Sequence, residues 1–210
     1  MKKITINICI LILGGSLFAQ VNKTIVLNQP DVKRGLSVME ALSNRASAGE
    51  FSSTKLSLQD LSDLLWAANG INRKEIGKRT APSAMNAQDI DVYVFDAERV
   101  YLYDALNHVL NPVADGDQRG LVAGRQVDVA KSALELLLVS DISKFKTGED
   151  SMKLTWAAMD AGIVSQNISI FCAGVGLKTK PRVSMDQKKL RELLKLKDSQ
   201  HLMLNNPVSY

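Results

Sequence analysis

The stretch Arg79-Thr80-Ala81-Pro82-Ser83-Ala84-Met85-Asn86-Ala87-Gln88 is small, polar and rich in free carbonyls. Small side chains let a backbone come close to a flat ligand, and Asn86 carries both a donor and an acceptor for a ring or substrate edge. A Pro-Ser turn also forms without any ligand, so the segment is open to a purely structural reading as well. The remaining chemical inventory is sparse. His108 and His201 are isolated, and beyond residue 19 the one cysteine is Cys172, which is too little for a His/Cys metal site or an internal disulfide. No base accompanies Cys172, so a thiol nucleophile is not expected.

The elements that must position this stretch follow from periodicity. Ser37 opens a short amphipathic helix through Val38-Met39-Glu40-Ala41-Leu42. Ser57, with Asp60 as a weak capping partner, opens a clearer one whose stripe is Leu58, Leu61, Leu64, Leu65 and Ala68; Gly70 stands where a positive-φ helix stop belongs. Val92–Phe95 and Val100–Tyr103, separated by Asp96-Ala97-Glu98, predict a β-hairpin. Asn111–Gly116 reads as turn, Leu121–Ala130 as helix, and Leu134–Val139 as a buried strand. Met152–Val175 predicts a long helix that is apolar round most of its circumference and so buried at the centre of the domain. On it, Ala157, Ala158, Ala161 and Gly162 would admit a second helix closely. Gln166 and Asn167 sit inside the same helix, where buried amides first satisfy backbone groups or a subunit seam. A strand at Arg182–Met185, a helix capped by Asp186, and a final run His201–Leu204 stopping at Asn205-Asn206-Pro207 complete the chain.

The first twenty residues read as an export signal: Lys2 and Lys3, an apolar run from Ile4 to Leu17, and Ala19 for cleavage before Gln20. The apolar run is short for a stable membrane span. The expected organisation is a leader at 1–19 and one α+β domain at 20–210, exported and, in a two-membrane cell, periplasmic. The formal net charge is +4, two of it from Lys2 and Lys3, and the bases are dispersed among acids without interleaved aromatics, so nucleic acid is not an expected partner.

Arg45-x-Ser47 with Phe51, then Arg79 to Gln88, then Asp160-Ala161-Gly162 with Gln166-Asn167, then Gly176-Leu177 and finally Pro207-Val208 stand in an order and spacing that resembles the nitroreductase-like family. The similarity is greatest to small exported members related to the flavin dehydrogenases of azole-forming peptide pathways, and it runs from Gly35 to Tyr210. The resemblance implies a mixed sheet flanked by helices with a long central helix, a homodimer, and FMN at the subunit interface. It also implies ping-pong transfer of electrons from a donor to a small organic acceptor, with the redox chemistry belonging to the flavin.

By that resemblance Arg45 and Ser47 reach the flavin phosphate and ring edge, a role that suits the planar arginine fork; alternatively Arg45 closes a helix C-terminus. Pro82, Ser83, Ala84 and Asn86 border the ring, and Gln88 either joins them or ties the turn to the next strand. Met85, where many relatives have Gly, would lie over the ring or narrow the substrate gap. Arg182 and Val183 match a loop beside flavin N5, with Arg182 either a site cation or a solvated base in the run from Lys178. Two departures stand out. The family's second and third cations are Ala46 and Gly49 here, and the chain lacks the basic tail that follows Pro-Val in relatives. The missing charge at Gly49 faces the ring edge where negative charge builds on reduction. Two other functions therefore compete with an exported FMN oxidoreductase: a flavin-free scaffold for binding or assembly, and a flavin store without turnover. Outside the cytoplasm NAD(P)H is not expected, so the electron donor is left open.

Overall fold

The computed structural model describes residues 23–210; the leader expected at 1–19 lies outside the described residues. The chain runs β1 (Ile25–Val26), α1 (Val38–Asn44), α2 (Leu58–Asn69), β2 (Ile71–Arg73), β3 (Lys78–Arg79), β4 (Ile90–Phe95), β5 (Arg99–Asp104), β6 (Val109–Asp115), α3 (Arg119–Ala123), β7 (Leu134–Asp141), α4 (Asp150–Val175), β8 (Lys178–Thr179), α5 (Gln187–Leu194) and β9 (Gln200–Ser209). Seven strands form one sheet in the order β1-β6-β5-β4-β7-β9-β8, and β2 with β3 makes a small hairpin beside it. The α+β architecture with a long helix is as expected; every ladder among the described residues is antiparallel, so the sheet holds no parallel pair of a mixed kind.

The apolar run of β7 explains its central place. Leu134, Leu136 and Leu138 face one core with Leu64, Leu65 and Ala68 of α2 and Ala161, Val164 and Ile168 of α4. Leu137 and Val139 face a second core with Val122 of α3 and Leu190 and Leu194 of α5. Alternate side chains leave a strand on opposite faces, so the unbroken apolar run Leu136–Val139 fits a strand covered on both sides. The expected hairpin is present, with Phe95 opposite Val100.

Both helix starts are built as their sequences predict. Ser37 and Glu40 form a reciprocal capping box on α1, and Ser57 accepts from the Asp60 N–H on α2. Gly70 does end α2, but at φ −75° it is extended rather than left-handed. Its reason is space: a Cβ there would stand 2.6–2.8 Å from Trp66 atoms. The long helix is buried on one side only. Ala157, Ala161, Val164, Ile168 and Cys172 face inward, while Met152, Leu154, Met159 and Ile163 are exposed. It is long and apolar enough to cross a membrane by length and composition, yet its inner face packs on α1, α2 and the sheet. Of the small residues, Ala157 and Ala161 are buried while Gly162 has open space where a Cβ would stand; Gly174 comes near Ala41 of α1, and its carbonyl accepts from Leu36 N–H at 2.9 Å.

Three readings of local structure are corrected. Asn111–Gly116 belongs largely to β6, with Pro112 beside a bulge where the register against Val100/Tyr101 shifts. Residues 121–130 are α-helical only to Ala123, because Gly124 takes φ +61°, and a short 3-10 turn follows at Val129–Lys131. Arg182–Met185 is not a strand; Arg182 alone bridges to Asn205, and β9 runs on through Asn205-Asn206-Pro207 to Ser209.

Candidate functional site

The turn after β3 is held by its own side chains. Ser83 Oγ accepts from Gln88 N–H at 2.8 Å, and Met85, Asn86 and Gln88 all take left-handed backbone, with φ between 49° and 54°. For a side chain such as Met this conformation costs on the order of 1 kcal/mol, so the surrounding contacts must enforce it. One of them is remote in sequence: Ala84 N–H donates to both oxygens of the buried Asp160 on α4, at 2.9 and 3.1 Å. Gln88 is absorbed structurally, accepting from Arg79 Nε at 3.0 Å and donating to Gly77 O at 2.8 Å. Pro82 and Asn86 are exposed, and among the described residues no side chain bonds the Asn86 amide. Met85, 56% exposed, stands over the same surface.

Arg45 and Ser47 lie elsewhere. Arg45 is the C-cap of α1 in extended backbone, and both side chains are exposed with no hydrogen-bond partner among the described residues. The segment borders a cleft of about 380 Å³ lined by Asn44, Ala46, Gly49, Cys172, Lys178 and Thr179. That cleft sits at the C-terminal end of α4, whereas Ala84 meets α4 at Asp160. The twelve positions between Asp160 and Cys172 correspond to about 18 Å along a helix. Within one chain the two candidate walls are therefore separate.

Arg182 is not the solvated base of the run from Lys178. Its guanidinium is buried and donates to Gln126 Oε1 at 3.0 Å, Asn205 Oδ1 at 2.7 Å, and the carbonyls of Ala123 at 2.8 Å and Val122 at 3.4 Å. Burial lowers its pKa, and Glu135 raises it in return. It braces α3 against β9. Val183 next to it is 69% exposed, in an open polar hollow with Gly124, Arg125 and Lys189. Neither residue lines the cleft beside Arg45.

The helix amides divide. Asn167 Nδ2 donates to Ala68 O at 3.4 Å and so ties α4 to α2, while Gln166 is exposed. Cys172 is a buried core thiol whose pKa burial pushes up. His108 is structural: Nε2 donates to Asn28 O and Nδ1 accepts from the Tyr103 hydroxyl. Among the described residues no cluster of His, Cys, Asp and Glu could hold a metal ion.

A sequence profile of the nitroreductase family matches residues 42–210. The chain belongs to the nitroreductase family. A crystal structure assigned provisionally to this family, from Ralstonia eutropha JMP134, is 33% identical, with 89% of this chain and 88% of that one covered and a TM-score of 0.83. A protein of Methanocaldococcus jannaschii, likewise a provisional nitroreductase, is 26% identical over 86% of this chain and 95% of its own. A chain of the E. coli microcin synthetase complex shares the fold at 19% identity, with 97% and 84% covered and a TM-score of 0.70. The family profile covers both candidate walls.

Three residues of interest escaped the sequence reading. Lys178 and the buried, unpartnered Thr179 hydroxyl line the cleft beside Arg45, as Gly49 does. Lys180 lies over the Phe51 ring at 5.5 Å. The signal for Lys178 is its place directly after Gly176-Leu177.

Proposed function

We propose that the protein is an FMN-dependent oxidoreductase that works as a homodimer and passes electrons to a small organic acceptor in ping-pong fashion. Membership of the nitroreductase family gives an oxidoreductase of the flavin-using kind. The observation that carries the finer reading is Arg45, an exposed guanidinium without a partner beside a cleft that also holds Lys178 and an unpartnered Thr179 hydroxyl. Cations and donors with nothing to bind suit a phosphate and the carbonyl edge of a flavin. Arg45, Ser47 and Lys178 would hold the phosphate or ring edge, and Ser83 and Asn86 would border the ring. The flavin supplies the electron transfer; the chain supplies placement and charge.

The separation of the walls supports the homodimer. A second copy would bring the Pro82–Asn86 turn of one protomer to the Arg45 cleft of its partner, and the exposed apolar side of α4 offers a seam. The leader expected at 1–19 supports a site of action outside the cytoplasm, where a membrane-linked or small redox partner would replace NAD(P)H as donor.

The second reading, a flavin-free scaffold, draws on Ala46, Gly49 and the internal use of Arg182, which together thin the cation supply. A visible spectrum of the purified protein before and after adding FMN separates the two. A flavin spectrum bleached by dithionite supports the enzyme; a colourless protein that takes up no FMN supports the scaffold. Flavin uptake without steady-state reduction of quinone or nitro acceptors by any donor identifies a store instead.

A further inference from the structure

We propose that the cavity between the start of α2 and the sheet binds a small primary amine on an apolar body, an alkylamine or arylalkylamine, with the chain inside and the ammonium at the mouth.

The cavity holds about 230 Å³. Leu56 and Leu61 line its helix side, and Val94, Leu110 and Leu134 line its sheet side. Protein interiors leave few voids larger than a water molecule, so a space of this size among leucines forfeits dispersion contacts unless something fills it. Water is a poor filler, because a buried water needs two or more polar partners and these five side chains offer none. Ala133 is the smallest residue of the lining. A longer side chain there would close the space.

The polar groups gather at the mouth. Tyr101 lines the cavity with a buried ring, and its hydroxyl has no hydrogen-bond partner among the described residues. A buried tyrosine hydroxyl ordinarily finds one. Asp96 Oδ1 accepts from the N–H groups of Glu98 and Arg99, both at 2.8 Å, which leaves its Oδ2 without a donor among the described residues. Glu98 takes Lys55 Nζ at 2.9 Å, but the two side chains are 68% and 73% exposed. Such a pair is weak and parts easily.

Charge decides the head group. Lys55 is engaged with Glu98, and Arg99 Nε with Asp115 at 2.9 Å, so Asp96 is the carboxylate at the mouth without a counter-ion among the described residues. An ammonium there meets Asp96 Oδ2 and the Tyr101 hydroxyl oxygen, two acceptors for its three donors, with water left for the third. Burial, and then Asp96, raise the Tyr101 pKa, which keeps the phenol neutral. A carboxylate head would instead meet like charge. The cavity shares no lining residue with the cleft beside Arg45, and the inference does not rest on the flavin reading.

The test uses the full chain at neutral pH, with hexylamine, 1-hexanol and hexanoate as probes and methyl NMR of leucine- and valine-labelled protein as readout. Hexylamine should give saturable shifts at the methyls of Leu61, Val94 and Leu134, with a Kd of about 1 mM or tighter for a ligand of this size. Hexanol should bind roughly two- to fivefold more weakly, the worth of one exposed ion pair, and hexanoate more weakly still. Asp96→Asn keeps the Oδ1 that holds the turn and removes the charge; it should weaken hexylamine by the same factor and leave hexanol unchanged. Ala133→Leu should abolish the shifts with both; Leu61→Phe serves if that variant does not fold. Absence of saturable shifts at these methyls, or binding undiminished in the filled variant, overturns the site. Hexanol or hexanoate binding as tightly as hexylamine overturns the amine.

Discussion

Arg182 Nη1 donates to Asn205 Oδ1 at 2.7 Å, and the backbones of the same two residues exchange hydrogen bonds at 2.8 Å. The residue that resembles a flavin-loop cation is thus a brace. Replacing Arg182 by Met leaves Gln126, Asn205 and two carbonyls short of donors. We expect a loss of about 2–4 kcal/mol in urea denaturation, with FMN affinity of the folded fraction unchanged. A weaker flavin affinity at unchanged stability would restore its role as a site cation.

Glu135 on β7 lies in the field of Arg182 and Arg119, yet neither of its buried oxygens has a hydrogen-bond partner. Burial raises its pKa from 4.5 to about 8, and the arginines only partly offset this. The native state therefore holds a proton that the unfolded chain releases above pH 4.5. Stability contributed by this group falls as pH rises from about 4.5 to about 8 and is flat beyond. Glu135→Gln keeps the shape of the protonated acid and should remove that slope, leaving the variant more stable at pH 8 by up to about 3–5 kcal/mol. Chemical denaturation of both proteins at pH 5 and pH 8 measures the difference.

Much of this fold is legible where local chemistry and burial agree. The capping box at Ser37, the cap at Ser57 and the apolar run of β7 each state one element unambiguously. The C-terminal half of β9 is hidden in the sequence because Asn205-Asn206-Pro207 has turn chemistry. Pro207 is tolerated in a strand because β9 has no outer ladder between the Arg182–Asn205 bridge and the Thr179–Val208 pair. The site was half legible. Arg45 and Asn86 are exposed polar groups and Ser83 is half-buried within the turn, but the bond from Ala84 to Asp160 spans 76 positions and leaves no local pattern. The engagement of Arg182 is equally invisible, since a base in a basic run looks solvated until its carbonyl partners fold around it.

Gly49 offers a direct way to restore the missing charge. It has ordinary backbone, a Cβ there meets nothing within 4 Å, and it lines the cleft beside Lys178. Gly49→Lys should fold normally, within about 0.5 kcal/mol of wild type. It should tighten FMN roughly 5–10-fold at low salt, an effect that shrinks as ionic strength rises. Arg45→Gln should move affinity the other way by about tenfold or more, again with little effect on an exposed site's stability. Flavin fluorescence quenching at two salt concentrations checks both. If Gly49→Lys changes nothing, the cleft is not the phosphate or ring-edge wall.

The outer face of α4 tests the pairing of the two walls. Met159 is 60% exposed and stands on the same face as Met152 and Ile163, away from the buried Ala157, Ala161 and Val164. In a single chain, Met159→Glu alters only this exposed face and should leave stability nearly unchanged. In a dimer seamed along α4 it buries a carboxylate without a partner, a cost of several kcal/mol that the association cannot absorb. Light scattering should then report a dimeric wild type and a monomeric variant. If Arg45 and Asn86 meet across that seam, as proposed, the monomer should also lose flavin. A variant that stays dimeric moves the interface to another face of the molecule, and a monomer that still binds FMN tightly would place the whole site within one chain, against the 18 Å or so that separates its walls along α4.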